Sequence, residues 1–318
     1  MNYQNIQNLM KFIFPIILFV FISFSAFTQS IYSKAFGSKS NPAVVFLHGG
    51  PGYNSSVFEA TTAQRLANEG FYVIVYDRRG EGRSADKNAQ YNYTETIADL
   101  NTLLTQYGIK KANFIGHSFG GVVASFFAEK HPEKVNTIIL AGAPINLQES
   151  FQTIIASSKK IYESKKDSVN LRYVGMLEKM DKTSLEYSSY CFAHAMQNGF
   201  YSTKTPTEEA KKLYGSFQTD TLIKKYGRLM GYQAPQGFWK NEKYTSLDLT
   251  DATKKLVAQK TKIYGIYGKE DGLYSPEQVQ KLQAILGTDK LKYYENCSHN
   301  VFIDQQTEFV KQLKLWIR

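Results

Sequence analysis

The chain has 318 residues, 43% of them hydrophobic and 21% charged, a balance that excludes a disordered tail, a coiled coil and a collagen-like fibre. Its length suits one large domain or two small ones. Lys and Arg outnumber Asp and Glu by 38 to 28, for a net charge of +10. The basic residues are spread as pairs such as Lys159-Lys160, Lys165-Lys166 and Lys211-Lys212, with no Cys/His finger and no basic helix carrying base-stacking aromatics. They read as a solvated surface that favours anionic partners, not as a nucleic-acid interface.

In chain order, the first 28 residues differ in kind from the rest. Lys11 precedes the apolar run Phe12 to Ile22, and small residues lead to Ala26-Phe27-Thr28. A short basic region, an apolar stretch and small residues predict an export signal over 1–28, cleaved before Gln29. The alternative is an uncleaved membrane anchor, although the run falls short of the roughly 20 apolar residues that span a bilayer. Both readings place the remainder outside the cytoplasm, periplasmic or secreted.

After the signal, strand-length apolar runs alternate with amphipathic segments. Strands are expected at 43–47, 71–76, 113–115, 137–140, 262–267 and 291–294, and helices at 62–69, 122–130, 276–286 and 305–316. Fully apolar strands between helices predict a doubly wound, mostly parallel α/β sheet covered on both faces. Residues 145–249 carry helical periodicity and many Tyr, Lys and Ser, which predicts a helical insertion between a first core part, 29–144, and a second, 250–318. Two cysteines, Cys191 and Cys297, make no disulfide framework, and sequence leaves their pairing open. The five isolated histidines lack zinc-site spacing, so chemistry without metal or cofactor is expected.

Gly116-His117-Ser118-Phe119-Gly120 is a G-x-S-x-G pattern set between an expected strand and helix. Such a turn presents the serine hydroxyl at the carboxyl edge of the sheet, over a helix N-terminus that favours developing negative charge. Serine needs a base, and the base an orienting acid, in the order Ser, Asp or Glu, His. Asp271 lies after the strand 262–267, with Glu270 as its rival, and His299 lies after the strand 291–294. Ala141-Gly142-Ala143-Pro144, after the strand 137–140, offers no carboxylate. His131 suits a helix end, His117 packs beside the serine, and His194 lies in the insertion. His48-Gly49-Gly50-Pro51-Gly52 follows the first buried strand and can aim backbone N–H groups at an oxyanion; it lacks the Lys-Ser/Thr of a phosphate loop.

Together, HGGPG at 48–52, Asp77-Arg78-Arg79-Gly80-Glu81-Gly82-Arg83-Ser84 and GHSFGG at 116–121 resemble the α/β-hydrolase superfamily, over essentially the whole chain after the signal. HGGPG and the D-x-R-G-x-G-x-S segment are similar to its proline iminopeptidase branch. The resemblance implies a triad of Ser118, Asp271 and His299, an oxyanion hole from Gly50 and Phe119, a helical cap over 145–249, and loop-stabilising roles for Asp77 and Ser84. The nucleophile turn departs from that branch's GGSWGS-like sequence and looks instead like that of general esterases. Its amine-binding cap glutamates have no clear match, the nearest being Glu178, Glu186 and Glu242. The expected activity is hydrolysis of a small ester, lactone or amide. The alternatives are an aminopeptidase acting on short peptides and a ligand-binding protein of the same fold. Tyr187, Tyr190, Phe192, Phe200, Tyr201, Phe238 and Trp239 either line a pocket or form the insertion's own core.

Overall fold

The structure, a computed structural model, describes residues 31–317, so the expected signal lies outside the described residues. Seven strands form one sheet: β1 (Ser33–Phe36), β2 (Ala43–Leu47), β3 (Tyr72–Tyr76), β4 (Ala112–His117), β5 (Val135–Ala141), β6 (Lys262–Gly268) and β7 (Leu291–Tyr294). Their order is β1-β3-β2-β4-β5-β6-β7, and every pairing is parallel except the antiparallel β1–β3. The alternation of side chains along each strand feeds two cores. Val45, Leu47, Ile74 and Phe114 pack on one face, and Val44, Phe46, Val73, Val75 and Ile115 on the other. All five β3 residues are buried, each such side chain contributing about 1.5–3 kcal/mol of apolar transfer.

The strands and late helices fall where the apolar runs predict them, with small shifts at the ends. The helical stretch expected at 62–69 begins six residues sooner, with a π-helical turn at Glu59–Ala63. Elements beyond the expected ones include the helix Thr250–Ala258, just before β6, and two others. The edge strand β1 is only half-buried and has no apolar run to announce it. The helix Tyr93–Gln106 buries Ile97, Leu100, Leu103 and Leu104, with the Asn92 side chain accepting from Glu95 N–H at 2.8 Å.

Between β5 and β6 the chain forms the helices Leu147–Ser164, Ser168–Leu177, Leu185–Gln197, Glu208–Ser216, Thr221–Tyr226 and Gln233–Glu242. Asn146, Asp167, Ser184, Thr207 and Asp220 cap the first five by accepting a backbone N–H of the first turn. The two ends of this stretch are clasped together. Leu147 N–H donates to Leu247 O at 3.0 Å, Leu249 N–H to Ile145 O at 2.6 Å, and the Asn146 amide to Asp248 at 2.9 Å. Cys191 and Cys297 are separate, buried free thiols. Among the described residues no helix is long and apolar enough to cross a membrane, and no group of His, Cys, Asp and Glu is arranged to hold a metal ion.

Candidate active site

Each motif residue leaves the carboxyl end of a strand, so a parallel sheet gathers them at one edge. Ser118 sits between β4 and the helix Phe119–Lys130 with φ +51° and ψ −124°, a conformation that costs a non-glycine residue about 1–3 kcal/mol. The turn is held by Ser118 N–H to Ala141 O at 3.0 Å and Gly121 N–H to Ser118 O at 2.9 Å. Gly120 explains the need for glycine here, because a Cβ would lie 2.0 Å from Leu47 O. The Ser118 hydroxyl makes no capping bond to its own helix and stays partly accessible.

His299 follows β7 and is buried. Its Nδ1 lies 2.8 Å from Asp271 Oδ2, while Asp271 Oδ1 accepts Leu273 N–H at 3.0 Å. An ionised carboxylate can only accept, so Nδ1 carries the ring proton and Nε2 keeps a free lone pair. Glu270 is turned away, taking bonds from the Thr203 and Thr205 hydroxyls and Lys204 N–H. His117 Nε2 donates to the His299 carbonyl at 3.1 Å, with the two rings 4.9 Å apart. Burial, and then the nearby His299, lower its pKa to about 3, so it is a neutral donor. On the other side, Ser298 N–H and hydroxyl both donate to Asp304, which also accepts the Tyr214 hydroxyl at 2.7 Å. Burial raises the Asp304 pKa against those bonds.

The glycine loop after β2 is held by a buried ion pair. The Arg78 guanidinium pairs with Glu81 at 2.9 and 3.0 Å and donates to the carbonyls of His48 and Gly49; Glu81 also accepts Gly52 N–H at 2.6 Å. His48 Nε2 accepts Arg78 N–H at 3.0 Å, so its Nδ1 donates to Gly49 O at 2.8 Å. Burial and the Arg78 charge push the His48 pKa well below its ordinary value, which keeps that role fixed. A trans peptide points its N–H opposite to its carbonyl. With Gly49 O drawn to Arg78, Gly50 N–H faces away from the guanidinium. Neither it nor Phe119 N–H has a hydrogen-bond partner among the described residues. The loop runs close to the nucleophile turn: a Cβ on Gly49 would lie 3.1 Å from Ser118 Cβ. Asp77 accepts from Ser55 and Arg83, and Ser84 bridges Tyr32 N–H and Asp77 O, so both tie loops together.

The α/β-hydrolase fold family matches residues 42–306. The chain belongs to that family. It is 24% identical over 296 residues to a proline iminopeptidase from Lactobacillus helveticus, covering 90% of this chain and 93% of that one. Among solved structures it superposes on a proline iminopeptidase-related protein from Thermus thermophilus with a TM-score of 0.65 and 21% identity, over 90% and 92% of the two chains. An esterase from Exiguobacterium antarcticum gives a TM-score of 0.58 and 22% identity, over 90% and 95%.

The insertion of this hydrolase fold sends aromatic rings to the site, Phe238 from a helix and Phe200 and Tyr201 from the turn after the helix Leu185–Gln197. Phe238 packs 5.2 Å from Phe119, Tyr201 lies edge-on 5.2 Å from His299, and Phe200 covers Gly272. Tyr187 and Phe192 instead pack on Phe151 inside the insertion, Tyr190 is exposed, and the Trp239 indole N–H bonds to Thr183 O. His194 is bonded to Tyr162 within the insertion, and His131 to Asn101 at its helix end. Glu178 pairs with Lys159 at the surface, Glu186 is exposed, and Glu242 accepts Tyr93 N–H at 2.8 Å. Two surface depressions, of about 560 and 300 Å³, lie elsewhere and include neither Ser118 nor His299. The first is at the amino edge among Lys111, Lys260 and Lys262, the second beside Tyr267 and Tyr274.

Proposed function

We propose that this chain is a serine hydrolase that cleaves a small ester, lactone or amide through an acyl-enzyme. The observation that carries the reading is the 2.8 Å contact of His299 Nδ1 with Asp271, at the same edge as the strained Ser118 turn. Ser118 Oγ attacks the scissile carbonyl as His299 Nε2 takes its proton, and Asp271 stabilises the imidazolium. The N–H groups of Gly50 and Phe119 receive the oxyanion; each such donor is worth about 2.7–4 kcal/mol at the transition state. His299 returns the proton to the leaving group, and water repeats the sequence to release the acid. The helices of residues 145–249 act as a cap, with Phe200, Tyr201 and Phe238 limiting what reaches Ser118. The chain is exported by residues 1–28 or held by them at a membrane; amino-terminal sequencing of the protein from its host distinguishes cleaved from anchored.

A second reading, an aminopeptidase of the proline iminopeptidase type, is supported by the extent of the similarity to enzymes of that name. Against it, Glu178 is paired with Lys159 at the surface, Glu186 is exposed and Glu242 accepts a backbone N–H, leaving none of the three assigned to a substrate amine. A fluorophosphonate probe tests the chemistry. It labels the wild type and not Ser118→Ala, whose turnover falls on the order of 10⁶-fold. Labelling of both, or of neither, overturns the proposal, and the second result favours a ligand-binding protein. Aryl esters and aminoacyl-arylamides compared at equal concentration then separate esterase from aminopeptidase.

A further inference from the structure

We infer that residues 224–232 dock this protein on an anionic lipid surface, with the carboxyl edge of the sheet turned toward it. Leu229, Met230 and Tyr232 are 45, 62 and 61% exposed, three large apolar side chains within four positions. They do not project from a loose loop. Gly231 N–H donates to Gly52 O at 2.7 Å, the Tyr53 hydroxyl to Gly227 O at 2.7 Å, and the Asn54 amide to the carbonyls of Tyr226 and Leu229 at 2.8 and 3.2 Å. The backbone is therefore clamped to the fold while its apolar side chains face outward. Lys224, Lys225 and Arg228 precede them on the same segment. Apolar and aromatic side chains beside a basic cluster match the interface of a bilayer carrying anionic lipid, where each basic residue gains favourable attraction.

The path of the chain points the same way. β1 runs antiparallel to β3 with Ser33 opposite Tyr76, so Tyr32 enters the sheet at its carboxyl edge, where its carbonyl accepts Asp77 N–H at 3.1 Å. The junction is next to the docking segment: the Arg83 guanidinium lies 3.6 Å over the Tyr32 ring and 5.6 Å from the Tyr226 ring. A second exposed apolar row, Val169, Tyr173 and Met176 on the helix Ser168–Leu177, has no such link to the junction and supplies the contrast.

The test uses the whole chain with Met230→Cys carrying an environment-sensitive fluorophore; the native Cys191 and Cys297 are buried and do not compete for label. Emission should brighten and shift to the blue with vesicles containing phosphatidylglycerol, and not with phosphatidylcholine alone. Adding Lys224→Gln, Lys225→Gln and Arg228→Gln should demand on the order of a hundredfold more lipid for the same signal. A label at Tyr173→Cys should stay water-like. Circular dichroism matching the unmodified chain establishes that each variant is folded. A label at 230 that stays water-like, that responds equally to both lipids, or that does no more than the label at 173 overturns the inference.

Discussion

Two loop systems flank Ser118, and different forces hold them. On the β2–β3 side, fixed charges do the work: the Arg78–Glu81 pair is almost wholly buried and reaches three backbone groups of the glycine loop. On the β6–β7 side, His299 is placed by one carboxylate, by the neutral His117 and by aromatic edges. In the proposed mechanism the first side only has to keep N–H groups still, and a permanent cation near an oxyanion has the favourable sign. The second side must let a ring gain and lose a proton, which a permanent cation in contact would oppose. Perturbing each side should therefore fail differently, the β6–β7 side in rate and the β2–β3 side in stability as well.

Of the two sides, the larger rate effect is expected from Asp271. Asp271→Asn keeps the shape, but its amide can donate to Nδ1 and so favours the wrong tautomer, and kcat should fall about 10⁴-fold with little change in melting temperature. Glu270→Gln, at the rival carboxylate, turns one of the two oxygens that accept from Thr203, Lys204 and Thr205 into an NH2 donor and should cost about 1 kcal/mol of stability with less than a tenfold change in kcat. Turnover kinetics and urea unfolding of the two variants check the assignment, and the opposite ranking would transfer the acid's role to Glu270.

Arg78 breaks the other side. Arg78→Met leaves Glu81 charged and buried without its partner, which should cost about 3–5 kcal/mol by urea unfolding. Arg78→Met with Glu81→Met removes the stranded charge, so stability should largely return. Activity should not return with it, because the carbonyls of His48 and Gly49 still lack their donor. Recovery of both together would mean that the ion pair shapes the fold without orienting Gly50.

Much of this layout was legible in the sequence, and the boundary has physical causes. Ser118 and Asp271 each follow a buried strand, and His299 follows the partly buried β7, so a periodicity reading places them at one edge without knowledge of the turns. GHSFGG and HGGPG announce themselves because close backbone approach, as at Gly120, admits no other residue. The helix Tyr93–Gln106 was readable from Asn92 and the spacing of Ile97, Leu100, Leu103 and Leu104. β1 was not, since a half-buried edge strand needs no apolar run. The aromatic residues of the insertion were the hardest. Tyr187 faces its own core and Tyr201, in the turn after the same helix, faces His299; nothing in their spacing separates them, because docking of the insertion on the sheet decides it. Arg78 and Glu81 lie three apart in a recognisable motif, yet their partner loop is about thirty residues distant, a contact that only folding creates.

His117 sharpens the comparison through its pH dependence. Its pKa falls from an ordinary 6.5 to about 3 on folding, through burial first and then through His299. Between those two values the unfolded chain binds a proton that the folded one refuses. Stability is therefore full above about pH 6.5 and declines as pH falls toward 3, by about 1.4 kcal/mol per pH unit for this group. His117→Leu removes the titrating ring and should flatten the acid limb of a plot of unfolding free energy against pH by that slope. His48, also depressed, leaves a residual decline. At neutral pH the same variant leaves the buried His299 carbonyl without its donor, at a cost of about 1–3 kcal/mol. An acid limb as steep as that of the wild type would mean that folded His117 takes a proton below about pH 6.5 as readily as the unfolded chain does. The β6–β7 side would then hold a cation after all, and the contrast between the two sides would fail.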